Sequence, residues 1–448
     1  MTATSDRLDR LVDPRFGPVL RVVRQQRPPE LPPGFVAYGA AVADTRRFAH
    51  WQADPFASGA SLVDPAAARA AAIGEAVERY CGNAVPTGLP RRTHRELAAA
   101  GIAALDPAEL VLYSERQYHR PGFPYVRFTA DLPVRWCTAA DLDTGEPVEV
   151  PASVAHLNFH AGPYADEPAT HFVILPGIAA GCSHDEAVDA ALAEVCERDA
   201  VTTWWQRGAP VLGLPADVRS EVATLLADPT RDPVIDYTLF GVPSDLGVPV
   251  VGALLDDRAR GIVTMGSSCH EDLGTAATKA VTEAIQLRAF SVDLLDPASP
   301  VRRGFAAGHR DARVLAEFRD DRCYLDAQLP DFAAAVDFAS HAQLWLDPRM
   351  RVHLDRLHTP PDIPTAPGLP AVGSLRRHLA DRGHRVLVVD LTTPDVAAAG
   401  LHVVRVLVPG LYPNAPAAVP FLGGERLYRG PAGPLDEDEL VRAPLPAI

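Results

Sequence analysis

One stretch of the sequence, residues 183–205 (SHDEAVDAALAEVCERDAVTTWW), constrains the fold more than any other. It reads as a helix whose apolar positions leave almost no polar face, and such a helix is expected to be buried. Its second half nevertheless carries Glu194, Glu197, Arg198 and Asp199. Charges are rarely buried without a partner or a metal ion. The stretch therefore predicts a helix that forms one wall of a site, with the other walls supplied by the rest of the chain.

Capping residues predict where this helix and two others begin. Ser183 and Glu186 fit a capping box, S-x-x-E, at the start of the first helix. The dipeptide Asp64-Pro65 combines a good N-cap with a proline suited to the first helical position, and predicts a helix that ends near Gly82. A third helix is predicted from Thr275 onward.

Short strands alternate with helices along the chain. Strands are predicted at 133–137, 234–240, 248–255, 385–391 and 402–408, and a further helix at 374–381 that is closed by Gly383. The fold class is therefore a mixed α/β (α+β) arrangement of sheets flanked by helices. The proline-rich segments 27–34 and 359–370 read as connectors. We expect a lead-in at 1–40 and one domain at 41–448.

Composition excludes several classes of protein. The net charge of −15 and the isoelectric point of about 5.4 argue against a nucleic-acid binder and a basic membrane-surface protein. No apolar run approaches the ~18 residues of a membrane span, and the first ten residues, MTATSDRLDR, lack the apolar segment of a secretory signal. The six cysteines form no C-x-x-C pair, so reduced thiols in the cytoplasm are expected.

Three predicted helices carry variants of one phrase: EAVER (75–79), EVCER (194–198) and EAIQLR (283–288). In the first two, two glutamates three residues apart share a helix face, and an arginine lies beside the first glutamate. Mg²⁺ prefers oxygen ligands, typically one or two carboxylates plus phosphate oxygens. An adjacent arginine can bind phosphate in a fork. The phrases predict glutamates on different helices that frame a Mg-nucleotide.

A simpler interpretation of each phrase is a solvated, salt-bridged helix face. The capping box is likewise enough to explain Glu186 without any ligand. Repetition in alanine-rich surroundings, at 66–73 and 187–196, instead favours buried helices and a functional site.

Other motifs are weaker. The sequence has no G-x-x-x-x-G-K-[ST], so a nucleotide would not lie on a P-loop. His156 and His160 have the spacing of metal ligands on a helix but no third ligand nearby, which favours ordinary packing. Cys81 and Cys196 have no activating His or Asn pattern, which favours buried, inert thiols.

Five blocks follow one another in the chain: GEAVERY, GIAAGCSHDEAVDAALAEVCERDA, GSSCHEDLGTAATKAVTEAIQLR, VVRVLVPGLYP and a terminal PLPAI. This succession resembles the YcaO superfamily, and within it the SagD-like cyclodehydratases of azole-containing ribosomal peptides. The resemblance covers residues 35–448 as spaced blocks and is far more specific than any single motif.

The resemblance implies a non-P-loop ATP site between glutamate-bearing helices, with Mg²⁺ between the glutamates and the phosphates. The implied metal ligands are Glu75, Glu194 and Glu197, and the implied nucleotide-binding residues are Glu78, Glu186, Arg198, Lys279 and Glu283. Arg198 would also neutralise phosphate charge during catalysis. The proline-rich tail would reach the site and place the terminal carboxylate of Ile448 where it can move protons.

The implied activity is ATP-dependent conversion of Cys, Ser or Thr in a precursor peptide to thiazoline or oxazoline, in the biosynthesis of peptide natural products and antibiotics. The lead-in is too short for a leader-recognition domain, so we expect a separate E1-like or leader-binding partner protein. An FMN-dependent azoline dehydrogenase in the same pathway and a homodimer also fit the resemblance. No nucleic acid or membrane is expected as a partner.

The chain departs from the family pattern at four places: Ile174-Leu175-Pro176, Cys182, Ser58-Gly59-Ala60-Ser61 in place of a Gly-Lys-Gly step, and a tail that ends Pro444-x-Pro446-x-Ile448. These departures leave two alternatives open. One is a non-catalytic scaffold that binds peptide or partner, and the other is a YcaO enzyme that forms thioamide or amidine.

Overall fold

The structure is a computed structural model that describes residues 7–47, 53–230, 234–307, 314–357, 375–430 and 433–447. The strands within these ranges are β1 Val19–Arg24, β2 Val36–Val42, β3 Phe56–Ser61, β4 Arg91–Arg92, β5 Val134–Asp141, β6 Pro147–Pro151, β7 Ile178–Gly181, β8 Ile235–Val242, β9 Val250–Asp257, β10 Ile262–Cys269, β11 Leu387–Asp390, β12 His402–Leu407, β13 Arg429–Gly430 and β14 Gly433–Pro434. The helices are α1 Pro65–Gly82, α2 His94–Ala99, α3 Glu115–Tyr118, α4 Ala152–Ala155, α5 His184–Arg207, α6 Ala216–Leu226, α7 Leu273–Leu294, α8 Pro300–Ala306, α9 Phe338–Leu344, α10 Leu375–Ala380 and α11 Pro394–Ala398.

The strands pair into antiparallel sheets. One sheet has the order β1-β2-β3, a second has the order β10-β9-β8, and the largest has the order β4-β5-β11-β12-β7 with β6 paired to β5. Strands β11 and β12 follow one another around the short helix α11 and still run antiparallel. The mixed α/β class is therefore confirmed, without the parallel sheet that alternating helices and strands often build.

Helix starts follow the predicted caps closely. The Asp64 carboxylate accepts the Ala66 N–H at 2.8 Å, and α1 ends at Gly82 as predicted. The Ser183 hydroxyl accepts the Glu186 N–H at 3.2 Å at the start of α5. The capping box also predicts that the Glu186 carboxylate accepts the N–H of Ser183. This prediction is wrong, because that carboxylate accepts the N–H of Cys182.

Helix α7 begins two residues before the predicted start. Its N-cap is Asp272, whose carboxylate accepts the Thr275 N–H at 2.7 Å, so α7 starts at Leu273. The predicted strands match β5, β8, β9, β11 and β12 to within a few residues at most ends, although β5 runs on to Asp141. Strand β10 and the sheet of β1–β3 were not predicted.

Two glycines allow a strand to press directly on a helix backbone. A Cβ atom at Gly59 of β3 would lie 2.2 Å from the Ala72 nitrogen in α1. A Cβ atom at Gly266 of β10 would lie 2.2 Å from the Ala280 oxygen in α7. Both distances are shorter than side-chain packing permits, so these two contacts require glycine.

Helix α5 occupies the centre of the fold. It packs against β7 and β12 of the largest sheet and against β10 of another sheet. Helix α1 packs on β2, β3 and β7, and α7 packs on β9 and β10. The three helices that carry the repeated phrase are thus brought around one space. None of the described helices combines the length and hydrophobicity needed to cross a membrane.

Candidate functional site

Burial along α5 is concentrated in its second half. Asp185, Glu186, Asp189 and Ala190 are exposed, so the prediction of a helix buried nearly all round is wrong for its first two turns. Glu197 is 8% exposed and Asp199 is fully buried. The buried charge that the sequence predicts on this helix therefore lies within residues 194–199.

Two glutamates from different helices are held by the segment around β7. Glu194 of α5 accepts the Gly177 N–H at 2.8 Å, and Glu78 of α1 accepts the Ala180 N–H at 2.8 Å. Backbone donors fix both carboxylates without neutralising them, because an N–H group carries only a partial charge.

Two further glutamates are held by the free edge of β10. The Ser267 N–H donates to Glu283 of α7 at 2.7 Å, and the Ser267 hydroxyl donates to Glu197 of α5 at 2.6 Å. The Cys269 N–H donates to the other oxygen of Glu197 at 3.3 Å. Ser267 follows Gly266, so the close approach of β10 to α7 is what places it between the two carboxylates.

Arg198 lies among three of these glutamates without a tight ion pair. Its Nη2 is 3.4 Å from Glu283, and its Nε is 3.6 Å from Glu197 and 4.0 Å from Glu194. The Nε atom is buried and has no hydrogen-bond partner among the described residues. Arg198 therefore retains donor capacity for a further anion.

Glu75 completes the group from α1. Arg79 holds it through two contacts, Nε at 2.8 Å and Nη2 at 2.6 Å. We call Glu75, Glu78, Glu194, Glu197 and Glu283 together with Arg198 the carboxylate cleft.

The cleft raises the pKa of several of its carboxyl groups. Burial raises the pKa of Glu197 to about 7, and Glu283 adds to the effect while Arg198 opposes it. The pKa of Glu78 is raised by burial and then by the charge of Glu75. The pKa of Glu194 is also raised, chiefly by burial. Burial disfavours the charge of Arg198, but Glu197, Glu283 and Glu194 outweigh it and raise the pKa of the guanidinium.

The donor set fits Mg²⁺ in the company of phosphates. Among the described residues, no three His, Cys, Asp or Glu side chains are placed to hold a metal ion by themselves. Mg²⁺ usually takes one or two carboxylates and completes its shell with phosphate oxygens and water. The raised pKa values and the unpaired Arg198 Nε indicate that cleft and guanidinium are only partly neutralised by protein groups.

Two predicted site residues are exposed and are not among the residues that define the cleft, and a third lies outside the described residues. Glu186 is exposed and accepts the Cys182 N–H at 2.8 Å. Lys279 is exposed on α7. Ile448 lies outside the described residues. The arginine of the third phrase, Arg288, is not in the cleft either, because it pairs with Asp257 and Glu30.

Arg405 of β12 was missed by the sequence reasoning. It is fully buried and donates to the carbonyls of Ile174, Leu175 and Val154. Burial lowers its pKa to about 10. Arg405 thus fixes the loop that leads to Gly177, the donor to Glu194. A buried arginine inside VVRVL looks like any strand residue, so the sequence offered no signal for it.

Asp199 belongs to a different contact. It accepts the Tyr412 N–H at 2.7 Å and pairs with Arg426. Burial raises its pKa to about 6, although Arg426 acts in the opposite direction. Asp199 therefore anchors the segments that follow β12 and does not face the cleft.

The two cysteines next to the phrases are buried, as expected. Burial raises the pKa of Cys81 to about 11 and that of Cys196 well above its ordinary value. Both shifts disfavour the nucleophilic thiolate.

The proline-rich tail is seated beside Arg198. The indole N–H of Trp205 donates to the Ala443 carbonyl at 2.6 Å, and that of Trp345 donates to the Pro444 carbonyl at 3.0 Å. The Met265 N–H, on the free edge of β10, donates to the Pro446 carbonyl at 2.7 Å. The tail lines a cavity that Arg198 also lines.

The sequence profile of the YcaO cyclodehydratases, described as ATP- and Mg²⁺-binding, matches residues 60–412. The chain belongs to the YcaO family. The match includes every predicted glutamate and Arg198, and it ends at Tyr412 before the tail.

Known proteins resemble this chain in sequence or in structure. An uncharacterised protein of Methanothermobacter thermautotrophicus is 28% identical over 354 residues, which are 77% of this chain and 78% of the relative. A heterocyclase in complex with substrate and cofactor has a similar structure, with a TM-score of 0.69 at 21% identity, over 99% of this chain and 57% of the heterocyclase. This chain thus spans little more than half of that heterocyclase.

Two further solved structures share the YcaO fold. YcaO from Methanopyrus kandleri, bound with AMPPCP and Mg²⁺, matches with a TM-score of 0.52 at 19% identity, over 88% of this chain and 86% of that one. A chain of the E. coli microcin synthetase McbBCD complex with pro-MccB17 bound matches with a TM-score of 0.54 at 15% identity, over 87% of this chain and 88% of that one. At these identities the likeness shows the fold alone.

Proposed function

We propose that this chain is an ATP- and Mg²⁺-dependent cyclodehydratase of a ribosomally made precursor peptide. In the proposed reaction, the side chain of a peptide Cys, Ser or Thr adds to the carbonyl carbon of the preceding residue. The resulting oxyanion takes the γ-phosphoryl group of ATP, and ADP leaves. The amide nitrogen then expels phosphate together with the former carbonyl oxygen. With loss of the thiol or hydroxyl proton and the amide proton, the peptide loses the elements of one water for each thiazoline or oxazoline formed.

The observation that carries the proposal is the charge imbalance of the carboxylate cleft. Five glutamates converge there, and Arg198 contacts three of them at 3.4–4.0 Å, longer than a tight ion pair. Glu197 is buried and the other four are half-buried, and carboxylates gathered in such numbers are costly unless a cation joins them. A Mg-nucleotide provides that cation and also brings phosphate oxygens for Arg198.

The glutamates have separate proposed roles. Glu75, Glu194 and Glu197 would hold Mg²⁺ jointly with phosphate oxygens, since no three of the described side chains are placed to hold a metal ion by themselves. When bound, Mg²⁺ supplies charge neutralisation at the phosphate oxygens. Glu78 and Glu283 would orient the nucleotide, and the exposed Glu186 and Lys279 would contribute at its periphery. Arg198 would donate from its unpaired Nε to the transferring phosphoryl group.

The position of the tail supports azoline formation over the thioamide or amidine alternatives. The backbone of the tail is held at three carbonyls, those of Ala443, Pro444 and Pro446. This seating beside Arg198 would bring the terminal carboxylate of Ile448 near the reacting amide, where it can accept or return a proton.

We also propose a separate partner protein that recognises the leader of the precursor peptide. A chain of a multi-protein synthetase complex with its pro-peptide bound has a similar fold. An E1-like or leader-binding protein would supply that recognition, and an FMN-dependent dehydrogenase would act afterwards on the azoline.

The test combines nucleotide binding with peptide turnover. The full chain, its partner and precursor peptide are incubated with ATP and Mg²⁺, and mass spectrometry should show loss of one water per ring with matching phosphate release. Glu194→Gln should abolish both, because it removes a cleft carboxylate. Asp189→Asn, on the exposed face of the same helix, is the control and should retain both.

Each alternative predicts a different result. Phosphate release that never depends on peptide would refute the cyclodehydratase. No ATP-Mg binding by calorimetry, together with no effect of Glu194→Gln, would favour the scaffold. Full ring formation after deletion of residues 444–448 would remove the tail from the mechanism.

A further inference from the structure

Arg198 also lines a cavity whose walls contain none of the cleft glutamates. It offers about 60 Å³ to the centres of water-sized molecules and is partly open to solvent. Its walls come from the second half of α5, from α9, from residues 414–422 and from the tail. Trp205, Phe338 and Leu422 give it an apolar lining.

Four neutral polar side chains in these walls have buried atoms without a hydrogen-bond partner among the described residues. They are Thr202 Oγ1, Gln206 Oε1, His341 Nδ1 and Asn414 Oδ1. Thr202, Gln206 and His341 are each more than nine-tenths buried. Folded proteins pair nearly all such atoms, since a buried unpaired polar group costs free energy. Four of them around one cavity therefore point to a ligand that completes their hydrogen bonds.

His341 presents a hydrogen-bond donor. Its Nε2 accepts the Ala417 N–H at 3.0 Å, and a ring nitrogen that accepts cannot carry a proton. Burial lowers the pKa of His341 to about 3, so the ring is neutral and its single proton is on Nδ1. The unpaired Nδ1–H is thus available to a carbonyl oxygen, while the side-chain oxygens of Gln206 and Asn414 are available to N–H groups.

The cavity is suited to an uncharged ligand. Besides Arg198, the ionisable groups in its walls are His341, which is neutral, and Arg442, whose guanidinium donates to the Glu437 carbonyl at 2.9 Å. One unpaired donor, two unpaired acceptors and the Thr202 hydroxyl, which can donate or accept, lie between apolar walls and match the N–H and C=O groups of a peptide chain. A free carboxylate or ammonium group would find no matching partner there other than Arg198.

We propose that this cavity binds the peptide segment that is to be cyclised, with His341 Nδ1–H donating to a peptide carbonyl and Gln206 and Asn414 accepting peptide N–H groups. The proposal rests on the proposed function and adds the residues that position its substrate. Arg198 borders both the cavity and the carboxylate cleft, so a carbonyl bound at that end lies next to the γ-phosphoryl position.

The test uses a small neutral probe, N-acetylglycylcysteine N-methylamide, titrated into the full chain with and without AMPPCP–Mg²⁺. The variants are His341→Gln, which keeps an acceptor for Ala417 and loses the Nδ1–H, Gln206→Met and Asn414→Leu. Each should weaken probe binding at least tenfold and leave AMPPCP–Mg²⁺ affinity within twofold of the wild type. Their thermal unfolding midpoints should be unchanged or raised, because each removes a buried atom that has no partner in the free protein.

The matched control is Tyr237→Phe. The Tyr237 hydroxyl is also buried without a partner among the described residues, but it does not line the cavity. Its removal should raise or maintain stability in the same way and leave probe binding unchanged. A structural role of the cavity residues would instead lower their unfolding midpoints.

The proposal would be overturned if the wild type did not bind the probe, or if all three cavity variants bound it with wild-type affinity. Loss of AMPPCP–Mg²⁺ affinity in the variants would also overturn it, because that result would assign the cavity to the nucleotide. Failure of the wild type to bind AMPPCP–Mg²⁺ would refute the proposed function alone. The titrations without nucleotide would still decide on the cavity.

Discussion

Two groups of buried arginines and carboxylates lie at the two ends of the EAIQLR phrase on α7, and they differ in charge balance. The first group, which we call the Arg288 cluster, contains Arg288, Arg260, Asp257 and Glu30. Arg288 Nη2 is 2.6 Å from Asp257 and 2.8 Å from Glu30, and Arg260 contacts the same acids at 3.3 and 3.0 Å. Two cations thus meet two anions at short range.

The carboxylate cleft has the opposite character. Three of its five glutamates contact Arg198, at 3.4–4.0 Å, and among the described residues only Glu75 has a tight ion-pair partner, Arg79. A balanced, short-range cluster is complete without a ligand and stabilises the fold. An unbalanced cluster with backbone donors on its carboxylates is fixed in place and still lacks positive charge. The comparison separates a balanced charge cluster from the proposed ligand-binding one along a single helix.

The largest effect is expected from Arg198→Met. Peptide-dependent ATP turnover should fall by a factor of about 10³ or more, because an arginine at a transferring phosphoryl group contributes on that scale. Stability to urea should change little, since the surrounding carboxyls can take up protons. Turnover within tenfold of the wild type would show that Arg198 is only a counter-ion.

Arg288→Met should lower the stability of the protein and leave nucleotide binding unchanged, the reverse of what is expected for Arg198→Met. Removing one partner of a buried ion cluster costs about 3–5 kcal/mol, so urea denaturation should show a large loss of stability. AMPPCP–Mg²⁺ affinity of the folded protein should be unchanged. A loss of nucleotide affinity at unchanged stability would erase the distinction between the two clusters.

Glu197→Gln should change how stability depends on pH. The folded pKa of Glu197 is raised to about 7, so its protonated form stabilises the nucleotide-free protein, and this stability is lost as the pH rises from about 4.5 to 7. The difference in unfolding free energy between variant and wild type should shift in favour of Gln by on the order of 3 kcal/mol between pH 5 and pH 8. If this difference does not vary with pH, the pKa of Glu197 is not raised in the folded protein. Mg-nucleotide binding to the wild type should strengthen over the same range, because the metal requires the deprotonated form.

The smallest effects are expected from Glu186→Gln and Lys279→Met. Both side chains are exposed, and interactions of exposed charges are worth about 1 kcal/mol or less. Calorimetry should therefore show AMPPCP–Mg²⁺ affinity reduced less than about fivefold. A loss of a hundredfold or more would place these residues in the nucleotide site itself.

Local signals in the sequence predicted much of the helical framework. Asp64 and Ser183 marked the starts of α1 and α5, because capping is a property of a few adjacent residues. Glu75, Glu78, Glu194, Glu197 and Glu283 were identified by the resemblance and by spacing, and the structure brings these five together.

The parts that could not be predicted depend on contacts between distant segments. The burial of Arg405 and its three carbonyl partners involve residues more than 200 positions away. The exclusion of Arg288 from the cleft depends on Glu30, which no local pattern links to α7. The unpaired polar atoms around the cavity are visible only once their neighbours are known.

The free edge of β10 has a further consequence. Its N–H groups at Met265, Ser267 and Cys269, spaced about 6.7 Å apart, are occupied in turn by the Pro446 carbonyl, Glu283 and Glu197. An uncovered edge strand is a template for pairing with another chain. The groups that build the site therefore also shield this edge from aggregation, so loss of the tail or of these glutamates is expected to reduce solubility as well as activity.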